Sequence, residues 1–130
     1  MASLSAALKA AIVASGVAGE RVYQDEAPPG VTAPYVVYRD YLSDVAVLEG
    51  DGGEDLARRR VLQADLWFGS QATDSKTTVK TLRDALTGAA LGATDEGKAY
   101  RVRVQMVLRR YYHDADKVQY TLDLRASYLA

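Results

Sequence analysis

The sequence predicts an α+β fold: an antiparallel or mixed sheet of about five strands, two helices packed on one face, and a long C-terminal β-hairpin. Three observations predict it. From Lys117 to Tyr128, Val118, Tyr120, Leu122, Leu124, Ala126 and Tyr128 alternate strictly with Gln119, Thr121, Asp123, Arg125 and Ser127, and period-two alternation marks a half-buried strand. Lys98–Tyr112 alternates too, and the turn formers His113-Asp-Ala-Asp116 join the two runs into a hairpin. Upstream, two segments place their apolar residues at the helical period instead.

In chain order, Ser3 is placed to cap a helix running to about Ser15. Leu4, Ala7, Leu8, Ala11 and Ile12 form its apolar stripe, and Gly16 stands where a C-terminal glycine ends a helix. Glu20–Tyr23 is a short strand candidate. The stretch Gln24–Pro34 holds three prolines and is irregular chain, with Ala33-Pro34 open to either isomer. Tyr35–Ala46 reads as a strand whose apolar residues crowd its start, so both faces are expected to be covered there. Glu49-Gly-Asp-Gly-Gly-Glu-Asp55 reads as a flexible acidic loop. The next strand, Leu56–Phe68, puts Leu62, Ala64, Leu66 and Phe68 on one face and Arg59, Val61, Gln63, Asp65 and Trp67 on the other. Ser70 or Thr73 then caps a second helix from about residue 73 to Thr87, with Val79, Leu82 and Leu86, and Ala85 beside them, as its stripe and Gly88 at its end. A small-residue connector, Ala89–Gly97, leads into the hairpin.

A chain of 130 residues with 48% hydrophobic and 25% charged residues suits one globular domain, residues 1–130. It holds no Cys, which excludes disulfides and thiolate metal sites and suits a cytosolic setting. No apolar run approaches the ~20 residues of a membrane span, and the N-terminus lacks the pattern of a signal peptide, so no membrane partner is expected. Nine Tyr against one Phe suits half-exposed strands and interfaces, because Tyr buries a ring while its hydroxyl keeps a partner.

The net charge of −1 conceals a segregation. Residues 40–55 carry six acids and no base; residues 98–112 carry five bases and no acid. Arg58-Arg59-Arg60 adds a basic triplet just after the acidic stretch. One reading is a set of solvated strand faces and one acidic loop. The other is a molecule with two unlike sides that meets copies of itself head to tail. On that reading Glu49, Asp51, Glu54 and Asp55 are the acidic candidates, and Arg58, Arg59, Arg60, Arg101 and Arg103 the basic ones.

The sequence offers no catalytic constellation, no cofactor fingerprint and no metal-ligand spacing, and an enzyme is not expected. His113, the only His, falls in the hairpin turn, where it is a solvated turn residue. The glycine-rich loop lacks the oxygen spacing and distal Glu of a calcium loop. Trp67, at a strand end, is a core or interface anchor. Nucleic-acid binding has one point in favour: Arg101, Arg103 and Arg109 are expected to share the non-core face of a strand with Tyr111. A pI of about 5.8 stands against a dedicated binder. Pairing of these arginines with Asp65 or Asp123 across strands explains them without a ligand.

The order of elements, together with particular stretches, resembles the tail-terminator (tail-completion) proteins of long-tailed bacteriophages. The residues that carry the resemblance are Leu4–Ala11, Gly19-Glu-Arg-Val-Tyr23, Asp25-Glu-Ala-Pro-Pro-Gly30 and Ala33-Pro-Tyr-Val-Val-Tyr38. The strand Val61–Phe68 and a helix closing in Asp84-Ala-Leu86 complete it, so nearly the whole chain is covered. The resemblance implies a virion protein assembled in the host cytoplasm: an α+β subunit forming a homo-oligomeric, six-fold ring on the head-proximal end of the tail tube. Such a ring stops tube growth, contacts the tail tube protein and a head-completion or connector protein, and lets DNA pass in transit. Another neck or connector subunit, and a nucleic-acid-binding module, are the alternatives.

Overall fold

The computed structural model describes residues 3–49, 55–93 and 99–129, with side chains described outside 42–58, 92–99 and 128–130. Helix α1 spans Leu4–Ser15, and strand β1 Val22–Gln24. Strands β2 (Tyr35–Glu49) and β3 (Asp55–Gly69) follow, then helix α2 (Ser75–Leu86). A short strand β4 (Ala90–Ala93) precedes the hairpin β5 (Ala99–Tyr112) and β6 (Lys117–Leu129). The six strands form one mixed sheet in the order β1-β2-β3-β6-β5-β4, parallel only between β1 and β2. The sheet is curled, and both helices cover one face. Among the described residues no helix is long and apolar enough to cross a membrane.

The first helix starts and stops as its sequence dictates. Ser3 Oγ accepts the Ala6 N–H at 3.1 Å, and Gly16 takes φ +79° to donate back to the Val13 carbonyl. Leu4, Leu8 and Ile12 are buried on the sheet. Val79, Leu82 and Leu86 of α2 meet the same core. Beneath them lie Leu62, Ala64, Leu66 and Phe68 of β3, Val118 to Ala126 at alternate positions of β6, and Tyr100 and Val102 of β5. Each fully buried Leu here contributes about 1.5–3 kcal/mol relative to an exposed one.

Four local expectations are corrected. The connector Ala89–Gly97 includes a sixth strand: Ala90 pairs with Arg101 and Ala93 with Ala99. A four-residue strand, Ala-Leu-Gly-Ala, leaves too little alternation to be seen in the sequence. Neither Ser70 nor Thr73 caps α2. Its N-cap is Asp74, whose side chain makes no cap bond, while the Asp74 carbonyl accepts both the backbone N–H and the Oγ1 hydroxyl of Thr78. Ser70 Oγ is instead buried with no partner among the described residues. The ends of the acidic segment are strand, since Glu49 pairs with Asp55 as the last rung of β2 and β3; residues 50–54 lie outside the described residues. The Ala33–Pro34 bond is cis.

The fourth correction bears on function. In β5 the register slips between Val104 and Met106: Val104 faces Leu124, yet Met106 already faces Asp123. A bulge at Gln105 therefore reverses the alternation, because one extra residue exchanges the faces of everything beyond it. Arg101 and Arg103 stay on the face away from the helices. Arg109 and Tyr111 pair with Tyr120 and Val118 and so lie on the helix side, while Met106, Leu108, Arg110 and Tyr112 take the other. The expected shared face of Arg101, Arg103, Arg109 and Tyr111 does not exist.

Candidate assembly surfaces

The face away from the helices is not bare. Tyr35, Trp67 and Tyr112 form an aromatic ladder across it. The rings of Tyr35 and Trp67 stack at 6.2 Å and 14°, and Trp67 and Tyr112 lie 5.2 Å apart. Lys117 Nζ sits 5.4 Å from the Tyr35 ring centre and donates to its hydroxyl at 3.2 Å. Tyr112 donates to Gln119 Oε1 at 2.6 Å. These aromatics and the curl of the sheet explain why Tyr35, Val36, Val37 and Tyr38 are all buried although helices cover only one side. The covering of both faces at the start of β2 is thus by helix on one side and by ring stacking on the other.

The carboxylates of this face are occupied. Asp65, only 1% exposed, accepts from Arg39 at 2.5 Å and from Gln63 Nε2 at 2.9 Å. Asp123 pairs with Arg125. The sequence correctly singles out Asp65 and Asp123 as partners for arginines, but the arginines are Arg39 and Arg125. Beside the pairs opens a groove of about 470 Å³ lined by Tyr41, Leu108, Arg110 and Thr121 among others.

A second buried pair sits on the helix side. Arg60 donates to Asp40 Oδ2 at 2.6 Å, and Ser5 Oγ donates to the same oxygen at 3.0 Å. Both charged side chains are nearly excluded from water, at 10% and 4% exposure. The contact ties α1 to the middle of β2 and β3. Such a pair gives little net stability when intact but costs much when broken, because a lone buried charge remains. No spacing rule connects residues 5, 40 and 60, so sequence reasoning missed it.

The candidate interface residues therefore separate. Arg60 is committed inside the subunit. Arg101 is exposed and donates to the Gly88 carbonyl at 3.1 Å, next to β4. Arg59 and Arg103 are exposed and have no ion-pair or hydrogen-bond partner among the described residues; the same holds for Arg109 and Arg110. Glu49 and Asp55 share the last rung of β2 and β3. The side chains of Glu49, Asp55 and Arg58, and all of Asp51 and Glu54, lie outside the described residues. His113 is an exposed turn residue, edge-on to Tyr111 at 5.9 Å. Among the described residues no group of His, Cys, Asp and Glu is arranged to hold a metal ion.

This architecture defines an α+β subunit with one curled six-stranded mixed sheet and both helices on one face. A chain of the solved structure titled "Virion of native gene transfer agent (GTA) particle" has the same fold, with a TM-score of 0.67 and 21% identity over 98% of this chain and 92% of that one. No curated protein matches the sequence. The family described as "Tail completion protein gp17" matches residues 2–129, and the chain belongs to it. It is a structural protein of the phage tail and neck.

Proposed function

We propose that the chain, as one domain over residues 1–130, assembles into a closed ring that caps the head-proximal end of the tail tube. The ring, six-fold by the pattern of tail terminators, stops tube growth and offers its other side to a head-completion protein. DNA crosses its lumen only in transit. The observation that carries this reading is the chain-long match to the tail completion family. The charge segregation supports it. A closed ring requires two unlike patches on one subunit, and the acidic candidates Glu49, Asp51, Glu54 and Asp55 oppose the cationic Arg58, Arg59, Arg101 and Arg103. A lumen that releases DNA should be lined by neutral or acidic groups, since each phosphate contact by a cation slows release. The free arginines are then best placed at subunit contacts.

The test is to add purified protein to purified tail tubes and image them. The reading expects protein at one end of each tube and no further elongation when tube protein is supplied. Protein along the whole tube, or growth past it, overturns the reading. The unpartnered Arg103, Arg109 and Arg110 favour one rival, a nucleic-acid module. It requires retention of DNA at moderate salt with a steep loss as salt rises; the ring reading expects little retention.

A further inference from the structure

Two strands of the sheet are longer than the strands that cover them. β1 pairs with β2 only from Val36 to Tyr38, with the last outward bond running from the Asp25 N–H to the Tyr38 carbonyl. β4 and the residues before it cover β5 only as far as Val102, whose N–H and C=O both point outward to Ala89 and Gly88. Beyond these points β2 continues to Glu49 and β5 to Tyr112. Among the described residues nothing pairs with the outer side of 41–49 or of 103–112.

An open ladder templates pairing with another chain, and free edges are blunted by charges, Pro or bulges where no partner exists. These edges hold charges and a register slip but no Lys and no Pro. Both are apolar on successive residues, Val45-Ala-Val-Leu48 in β2 and Met106-Val-Leu108 in β5. Met106 and Leu108 are about half exposed in the subunit, at 47% and 54%. A strand apolar on consecutive positions is the kind that is covered on both faces and paired on both sides.

The edges also differ in sign. Residues 41–49 carry Asp44 and Glu49 and no base; residues 103–112 carry Arg103, Arg109 and Arg110 and no acid. In the register, Glu49 lies at the end of the sheet with Ala57 and Leu129, whereas Tyr112 lies at the opposite end with Lys117 and Gly69. The free edges are thus diagonal to one another. Joining one to the other offsets neighbouring copies along the strands, the shear that closing a sheet into a barrel requires.

We infer that the occupant of each edge is a second copy of this chain, the β5 edge at 103–112 adding as a strand to the β2 edge at 41–49 of its neighbour. Main-chain hydrogen bonds supply the contact, and the opposite charges set which edges meet. The inference rests on the ring reading above and specifies its joint.

Hydrogen exchange on the whole protein tests it, comparing free subunit with rings formed alone or on tail tubes. Amides in 41–48 and in 103–110 are expected to exchange at least about tenfold more slowly in the ring, while those of 61–68 and 118–125 are protected in both states. A ring with no slowing at one or both edges overturns the edge joint and leaves the ring reading standing. Absence of any ring, alone or on tubes, overturns the ring reading and the joint with it.

Discussion

The inner strand pair and the outer strands of this sheet follow different rules. β3 and β6 pair from Ala57 with Leu129 to Gly69 with Lys117 without one slip. Their core-facing residues, Leu62, Ala64, Leu66, Leu122 and Leu124, are fully buried. β2 and β5, on either side, both slip in register, β2 between Asp40 and Asp44 and β5 between Val104 and Met106. They carry the exposed large apolar residues Tyr41, Met106, Leu108 and Tyr111. The contrast teaches that regular alternation records what one chain needs in order to fold. On the edge-joint proposal, the bulges, exposed apolar residues and unpaired arginines of the outer strands are the part of the subunit that another chain completes.

Breaking the inner side should cost stability first. Arg60→Ala leaves the buried Asp40 carboxylate without its guanidinium and is expected to destabilise by about 3–5 kcal/mol, read from denaturant midpoints. Arg60→Met with Asp40→Leu should recover most of this, since an apolar pair strands no charge. Leu122→Ala, at the centre of β6, is expected to cost about 2–5 kcal/mol by the same measurement. Gly16→Ala places a side chain at φ +79° where α1 ends, and about 1 kcal/mol is expected.

The smallest effect belongs to the exposed surface. Lys80 bonds Asp84 one turn along α2 at 2.7 Å and holds its carboxyl below the ordinary carboxylate value. A lowered carboxyl adds stability above its unfolded pKa and loses it as pH falls through the folded one. Lys80→Ala should return the Asp84 titration toward normal by NMR, with melting at neutral pH unchanged within error.

The same division explains what the sequence could reveal. The caps of α1, the stripe of α2 and the alternation of β6 are local patterns, and each falls where its residues indicate. The bulge at Gln105 was invisible because the run around it, Val104-Gln-Met-Val-Leu108, carries apolar residues in both phases. β4 was too short to show a period. The Ser5–Asp40–Arg60 contact and the ladder of Tyr35, Trp67 and Tyr112 join residues far apart in the chain, and only the register brings them together. The charge segregation was legible at once. Which arginines are committed inside the subunit, Arg39, Arg60 and Arg125, and which remain free was not.

The most direct test of the division is one variant measured two ways. Arg103→Glu/Arg109→Glu/Arg110→Glu changes only the outer edge of β5, so its folding free energy should stay within about 0.5 kcal/mol of the parent. Light scattering should show it as the 14.1 kDa subunit under conditions, with or without tail tubes, in which the parent forms rings. Adding Asp44→Arg and Glu49→Arg to the same chain should restore the ring. A triple variant that assembles like the parent, or that unfolds, would contradict the assignment of the outer strands to assembly and the inner strands to folding.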